Sequence, residues 1–144
     1  MIDKEEFYRG AALALLLEDF RCKSVRRLGK GGYVVGDTFF QIRFTTKARS
    51  PWGFTITESD IERFEVGRHE ASTQMLVLVC GGDGICVLRS DEVSKLLGDK
   101  PGSVSARRKH NTQYEVRGSS ERLNYKIPRN RWPTIVFEKG ADQE

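Results

Sequence analysis

The first twenty residues carry their apolar side chains at helical spacing. In DKEEFYRGAALALLLEDF (3–20), alanine, leucine and phenylalanine residues recur three and four positions apart. This spacing forms one broad apolar stripe and predicts an amphipathic helix. Asp3 and Glu6 stand at the spacing of a capping box, and acids in the first turn suit the positive end of the helix dipole. The following run, CKSVRRL (22–28), predicts a short strand that ends at the loop GKGG.

The pattern changes to alternation in GGYVVGDTFFQIRFTTK (31–47). Two runs rich in β-branched and aromatic residues, 33–35 and 38–46, flank Gly36-Asp37, which predicts a two-residue hairpin turn. Because successive side chains of a strand point to opposite faces, the hairpin has an apolar face and a mixed face. The apolar face consists of Tyr33, Val35, Thr38, Phe40, Ile42 and Phe44. The mixed face consists of Val34, Phe39, Gln41, Arg43 and Thr45.

The middle of the chain alternates strands with a helix. FTIT (54–57) predicts a strand that extends the hairpin sheet, and Thr57 predicts the N-cap of a helix over ESDIERFEV. The apolar run QMLVLVC (74–80) predicts a strand buried on both faces. GGDG then predicts a turn into ICVLR (85–89), a second strand.

The last part of the chain begins with a short predicted helix and then loses helical spacing. SDEVSKLLG places Ser90 as N-cap and Gly98 just beyond the C-terminus of that helix. Residues after 100 predict two or three strands joined by polar turns. The whole order indicates one α+β domain over 1–144 with a mixed sheet, in which a core (about 3–97) precedes a β-rich basic extension (about 101–138).

Charge is distributed unevenly along the chain, although the net charge is only +4. Lys and Arg outnumber acids by seven to one over residues 23–50 and by eight to two over residues 101–135, whereas residues 51–100 carry five against nine. Clustered cations favour a polyanion partner, because neutralising phosphates releases counterions. The predicted partner is therefore nucleic acid. The predicted contact residues are Arg43, Lys47, Arg49, Arg107, Arg108, Lys109, His110, Lys126, Arg129, Arg131 and the stacking residue Trp132.

Several other classes receive no support from the sequence. No apolar run reaches the ~20 residues of a membrane helix, and the acidic start MIDKEEF lacks the pattern of a signal peptide. The three cysteines include no C-x-x-C pair, which predicts free thiols in a reducing, cytoplasmic setting. The two histidines, His69 and His110, are not at zinc-ligand spacing from a cysteine, so neither metal nor cofactor is predicted.

With these elements in hand, the chain resembles the PD-(D/E)xK nuclease superfamily over about residues 3–97. The predicted order α-β-β-β-α-β carries the resemblance, together with FQIRFTTKARSPWGFTIT and the buried run QMLVLVC. In that superfamily an aspartate on the second strand and an acid or glutamine on the third hold a divalent metal, and a nearby lysine handles the attacking water. The resemblance implies that Val34, Gln41 and Arg43 occupy those three positions.

These substitutions predict a degenerate active site. Valine cannot bind a metal, and arginine stays protonated, so it is a poor base although a good phosphate ligand. The sequence therefore predicts a non-catalytic nucleic-acid-binding protein, and the resemblance implies a role beside mobile elements or host defence. One alternative is an active Mg²⁺-dependent nuclease whose acids have migrated to Asp37, Glu5 or Glu6. The other is a protein-interaction subunit, such as an inhibitor or assembly factor, that reuses the fold and binds a protein partner or forms a homo-oligomer.

Overall fold

A computed structural model describes residues 2–138 as three α-helices, eight strands and two short 3-10 helices. The helices are α1 (Lys4–Glu18), α2 (Glu58–Glu70) and α3 (Ser90–Leu97). The first four strands are β1 (Arg26–Arg27), β2 (Gly32–Val35), β3 (Thr38–Thr45) and β4 (Trp52–Ile56). The last four are β5 (Thr73–Cys80), β6 (Gly84–Arg89), β7 (Gly102–Arg107) and β8 (Glu115–Gly118). The 3-10 helices span Arg129–Arg131 and Thr134–Phe137.

The strands form two sheets, which makes the protein an α+β fold with a mixed main sheet. The main sheet has the order β1-β2-β3-β5-β6, in which β3 and β5 are parallel and all other neighbours are antiparallel. The second sheet has the order β4-β7-β8 and is antiparallel throughout. The predicted class is therefore confirmed, with a second sheet that the sequence did not predict.

The main sheet separates two apolar cores. On one face Phe40, Ile42 and Val77 pack with Leu16 of α1 and with Trp132 from the C-terminal segment. On the other face the core is formed by the main sheet, α2, α3 and the inner side of the second sheet; it includes Phe39, Leu76, Leu78, Phe64, Leu96, Trp52, Phe54 and Val104. The strand β5 is buried along almost its whole length, as its continuous apolar run predicts.

Strand β4 corrects the prediction that 54–57 extends the hairpin sheet. It pairs instead with β7, in the register Phe54↔Val104, and its apolar positions Trp52, Phe54 and Ile56 point into the core. Its outward positions are Gly53 and Thr55. The local alternation was therefore visible in the sequence, but the pairing joins segments about fifty residues apart, which no local pattern specifies.

Helix α2 runs beyond its predicted end. It continues to Glu70, with Thr57 and Asp60 forming a reciprocal capping box at its start. Gly67 lies inside the helix, where a Cβ atom would come within 2.4 Å of Cδ2 of Phe39. The glycine therefore permits a close approach of helix and sheet.

One further prediction changes in detail. Arg89, rather than Ser90, is the N-cap residue of α3, because the buried Glu92 carboxylate accepts a hydrogen bond from the backbone N–H of Arg89 at 2.8 Å. The C-terminal extension contributes two strands, in agreement with the two or three predicted, and continues as turns and the 3-10 helices. Single bridges, Tyr114↔Ile127 and Arg117↔Arg122, extend it beyond β8.

The three cysteines are free thiols, as predicted. Cys80 and Cys86 are buried, and burial raises the pKa of the Cys80 thiol to about 12. Within residues 2–138, no helix combines the length and the apolar character that a membrane crossing requires.

Candidate functional site

The hairpin of β2 and β3 has the predicted register. Val35 pairs with Thr38 and Val34 with Phe39, and Gly36 has a φ of +57° in the turn. Val34 and Phe39 belong to the core on the α2 side, and Arg43 contacts Asp60 of α2. The prediction that Val34, Gln41 and Arg43 share one face is thus confirmed.

Strand β3 is longer than its partner β2, and a pocket opens beside the N-terminal end of β2. The last pairing on this side joins Gly32 to Gln41, after which the backbone N–H of Ile42 donates to the carbonyl of Gly31 at 2.8 Å. The pocket has a volume of about 350 Å³ and lies between α1, the loop before β2, β3 and α2. Its polar lining, called the basic pocket below, consists of Glu5, Arg9, Lys30, Gln41, Arg43 and Arg63.

The basic pocket carries an excess of positive charge. Nη1 of Arg43 lies 2.6 Å from Oδ2 of Asp60, and Nη1 of Arg63 lies 3.5 Å from Oδ1 of the same carboxylate. Asp60 is 0% exposed and also accepts a 2.8 Å hydrogen bond from the backbone N–H of Thr57. Four cationic side chains thus face Glu5, which pairs with Arg9, and the fully buried Asp60. Two positive charges remain, which favours a bound anion.

Gln41 fixes the loop wall of the basic pocket. Its Nε2 donates a 2.9 Å hydrogen bond to the carbonyl of Lys30, in the predicted GKGG loop. A Cβ atom at Gly31 would lie 2.9 Å from this Nε2, so the loop can approach Gln41 only with glycine there. The side chain is 1% exposed, and its Oε1 has no hydrogen-bond partner among residues 2–138. An unsatisfied buried acceptor is costly, and its presence indicates a place for a water molecule or a ligand hydroxyl.

Two predicted basic segments, 47–49 and 107–110, meet at another corner of the molecule. The backbone N–H of Arg108 donates to Oγ of Ser50 at 3.1 Å and joins the two segments. The side chains that remain exposed around this bond form what is called the basic corner below. They are Lys47, Arg49, Arg107, Lys109 and His110.

The structure contradicts the prediction that Trp132 stacks on a base. Its ring is 4% exposed and packs edge-on against Phe40, with the ring centroids 5.1 Å apart. Its Nε1 donates to the carbonyl of Ala12 in α1 at 3.1 Å. A ring buried between the main sheet and α1 has no face to offer a ligand, so Trp132 is a core residue.

Three of the predicted phosphate ligands form hydrogen bonds to other groups of the protein. Arg108 forms a two-point pair with Asp83, with N–O distances of 2.9 and 2.5 Å. Nη2 of Arg129 donates to the carbonyl of Asp83 at 2.5 Å, and Nη1 of Arg131 lies 2.8 Å from Oε1 of the buried Glu92. Arg129 and Arg131 hold the C-terminal segment against the main sheet and the turn before β6. Arg129 and Lys126 are exposed and stay candidates.

The acids named for the migrated-site alternative are not together. Oδ1 of Asp37 accepts from the backbone N–H of Ser72 at 3.0 Å, at the opposite end of β3 from Arg43. Six strand residues separate the two positions, which is roughly 20 Å. Glu5 lines the basic pocket, but Glu6 does not. Asp37 and Arg43 therefore cannot serve one metal site.

The pairing of Asp83 makes the stability of the protein depend on pH. The hydrogen bonds from Arg108, assisted by one from the Tyr114 hydroxyl, lower the pKa of Asp83. Its contribution is therefore complete above the unfolded-state pKa of about 4 and is lost as the pH falls through the lower native pKa. Asp83→Asn is expected to reduce the free energy of unfolding by about 1–3 kcal/mol at pH 7. In urea titrations this difference should shrink below pH 4; a constant difference would contradict the ion pair.

Several residues of these surfaces were not predicted. Arg9, Lys30 and Arg63 line the basic pocket, and Asp60 neutralises part of its charge. Each lies on a different element from the hairpin, so no spacing in the sequence connects it with Gln41. Only the resemblance, which places Gln41 and Arg43 at a functional position, pointed to this region.

Comparison of the chain with protein-family models, with curated proteins and with solved structures finds no match.

Proposed function

We propose that this protein binds nucleic acid without cleaving it, on a scaffold related to the PD-(D/E)xK nucleases. The basic pocket carries the proposal. At the place where the resemblance expects metal-binding acids, the lining offers Arg9, Lys30, Arg43 and Arg63 against Glu5. Guanidinium and ammonium groups are the common protein ligands of phosphate, and four of them converge here from four chain segments.

The element order supports the proposed scaffold. A helix precedes the antiparallel strands β1, β2 and β3, and α2 then leads to β5, which lies parallel to β3. This is the α-β-β-β-α-β order of the resemblance, with β4 diverted into the second sheet. The hairpin residues compared with the superfamily lie at the basic pocket, apart from Val34.

The same residues argue against hydrolysis. Val34 is buried in the core, so the position of the first aspartate offers no ligand. Arg43 is paired with Asp60, and a guanidinium group is a poor general base for activating water. The nuclease alternative, with bound Mg²⁺, would have to use Glu5 and Asp60, which are both engaged with arginines.

Replacement of two pocket cations, the exposed Lys30 and the half-buried Arg9, tests the binding half of the proposal. Lys30→Gln and Arg9→Gln should each flatten the plot of log affinity against log salt by about 0.7–0.9 units if each side chain contacts one phosphate. Lys95→Gln, an exposed lysine on α3, is the matched control and should leave the slope unchanged. Affinity would be measured on DNA and RNA, single- and double-stranded.

The same substrates incubated with Mg²⁺ or Mn²⁺ should remain intact. Metal-dependent cleavage that disappears in Glu5→Gln would establish the nuclease alternative. Folded protein that retains neither DNA nor RNA at low salt would refute nucleic-acid binding.

A second candidate function, protein interaction, is favoured by the outer side of α1. Phe7 is 63% and Leu17 61% exposed, and Phe20, just beyond the helix, is 83% exposed. An apolar surface of this kind is typical of a site that another protein covers. If the salt titrations detect no binding of nucleic acid, protein interaction through this surface becomes the leading candidate function.

A further inference from the structure

The second sheet has an outer face that differs from the rest of the surface. Its inward positions are apolar, whereas its outward positions alternate with them and are small or charged. No aromatic side chain stands at these outward strand positions. The small outward residues are Gly53, Thr55, Ser103 and Ser105.

Three arginines lie on or beside the outer face of the second sheet. Arg117 pairs in register with Ser105, and Arg107 with Glu115 two pairs further along, on the same face. The chain after β8 returns so that Arg122 forms a bridge opposite Arg117. Directly opposed residues lie about 4.5–5.5 Å apart and diagonal ones about 7–8 Å apart, so the three side chains form one cluster, called the arginine face.

The arginine face is only partly neutralised, because the strands contribute one acid to it, Glu115 opposite Arg107. Nine of the fifteen arginines of the chain form an ion pair with a carboxylate in residues 2–138. Arg107, Arg117 and Arg122 have no such side-chain partner in that part of the chain. Like charges opposite each other destabilise a sheet, yet Arg117 faces Arg122 directly. An external oxyanion would relieve this repulsion.

We propose that the arginine face binds the phosphate backbone of a double-stranded nucleic acid. The inference rests on the proposed function and assigns a second contact surface and a ligand form to it. An arginine guanidinium group can donate two hydrogen bonds to phosphate oxygens, and the serine and threonine hydroxyls on the outer face of the second sheet can donate to them as well.

The shape of the face selects the duplex. Proteins that bind single strands stack the bases on exposed aromatic rings, and the outward strand positions here provide none. In a duplex the bases are covered and the phosphates face outward. This arrangement matches a sheet face that offers small polar residues and cations. Because phosphate contacts carry no sequence information, binding should be independent of sequence.

The double variant Arg117→Gln/Arg122→Gln tests the face. On double-stranded DNA it should flatten the log–log salt dependence by about 1.8 units, which corresponds to two phosphate contacts. Lys23→Gln/Arg27→Gln removes two exposed charges near β1 and is the matched control, expected to leave the slope unchanged. The Arg117/Arg122 variant should unfold at the same temperature as the wild type or higher, because a repulsion is removed.

The outcomes separate this inference from the proposed function. If Lys30→Gln changes the slope but the Arg117/Arg122 variant does not, the arginine face is wrong and nucleic-acid binding stands. If the wild type binds no nucleic acid, both fail. Equal slope changes on single strands would overturn the choice of a duplex. Binding of polyglutamate that the variant loses, without duplex binding, would assign the face to an acidic protein. Affinities for a DNA duplex and an RNA duplex, measured side by side, show which of the two the arginine face binds.

Discussion

Trp132→Ala is expected to lower the free energy of unfolding by about 3–5 kcal/mol, the range for truncating a large buried aromatic side chain. Trp132 fills the space between Phe40 and α1, and few neighbours there can move into the vacated volume. Chemical denaturation of both proteins measures the loss. Nucleic-acid affinity of the fraction that stays folded should be unchanged, because the ring is not a ligand contact.

Trp132→Phe divides the effect into packing and hydrogen bonding. A phenyl ring keeps most of the contact with Phe40 but cannot donate to the carbonyl of Ala12. We expect this variant to lose about 1–2 kcal/mol, since a smaller ring also leaves some space. A Trp132→Ala protein with wild-type stability and weakened binding would instead restore the stacking role.

The second large effect is expected for Glu92→Ala, at about 3–5 kcal/mol. Glu92 is 1% exposed, and its carboxylate accepts from three donors, two of which lie 33 and 39 residues away in the chain. Oε1 accepts from Arg131 and from the backbone N–H of Arg89, both at 2.8 Å, and Oε2 accepts from the hydroxyl of Tyr125 at 2.5 Å. Removing the carboxylate leaves the half-buried charge of Arg131 without a counterion.

Asp91 provides the matched comparison one position earlier. Its carboxylate is largely exposed and pairs with Arg89 at 3.1 Å, so Asp91→Ala should cost no more than about 1 kcal/mol. Thermal and urea unfolding of the two variants would show the contrast. Similar losses for both would mean that the C-terminal segment does not depend on the Glu92 cluster.

The sequence predicted those parts of the fold that local chemistry determines. The capped start of α1, the Gly36-Asp37 turn and the alternation of β3 all follow from residues near one another, and the structure confirms them. The second sheet could not be predicted, because β4 and β7 meet across some fifty residues. The role of Gly67 inside α2 could not be predicted for a related reason, since it depends on Phe39 of another element.

The candidate site was predictable only in part. Arg43 and Gln41 were singled out, but their partners Asp60 and Lys30 were not, because contacts between elements leave no spacing signal. The sequence predicts that the whole basic run around Arg108 belongs to a binding surface. The structure divides it: Arg107 and Lys109 are exposed, whereas Arg108 pairs with Asp83. A count of charges cannot separate these cases, since that requires knowing where the acids lie.

The bond between Trp132 and Ala12 has a consequence for how the protein is made. It joins residues 120 positions apart, so α1 emerges from the ribosome long before the segment that covers its inner side. Domains with such distant contacts fold slowly, and here the contact is unavailable until residue 132 has been synthesised. Arg9 stands on that helix, so the wall that α1 gives the basic pocket is covered only after that point. A chain that stops before residue 132 would carry the pocket's sequence without this contact.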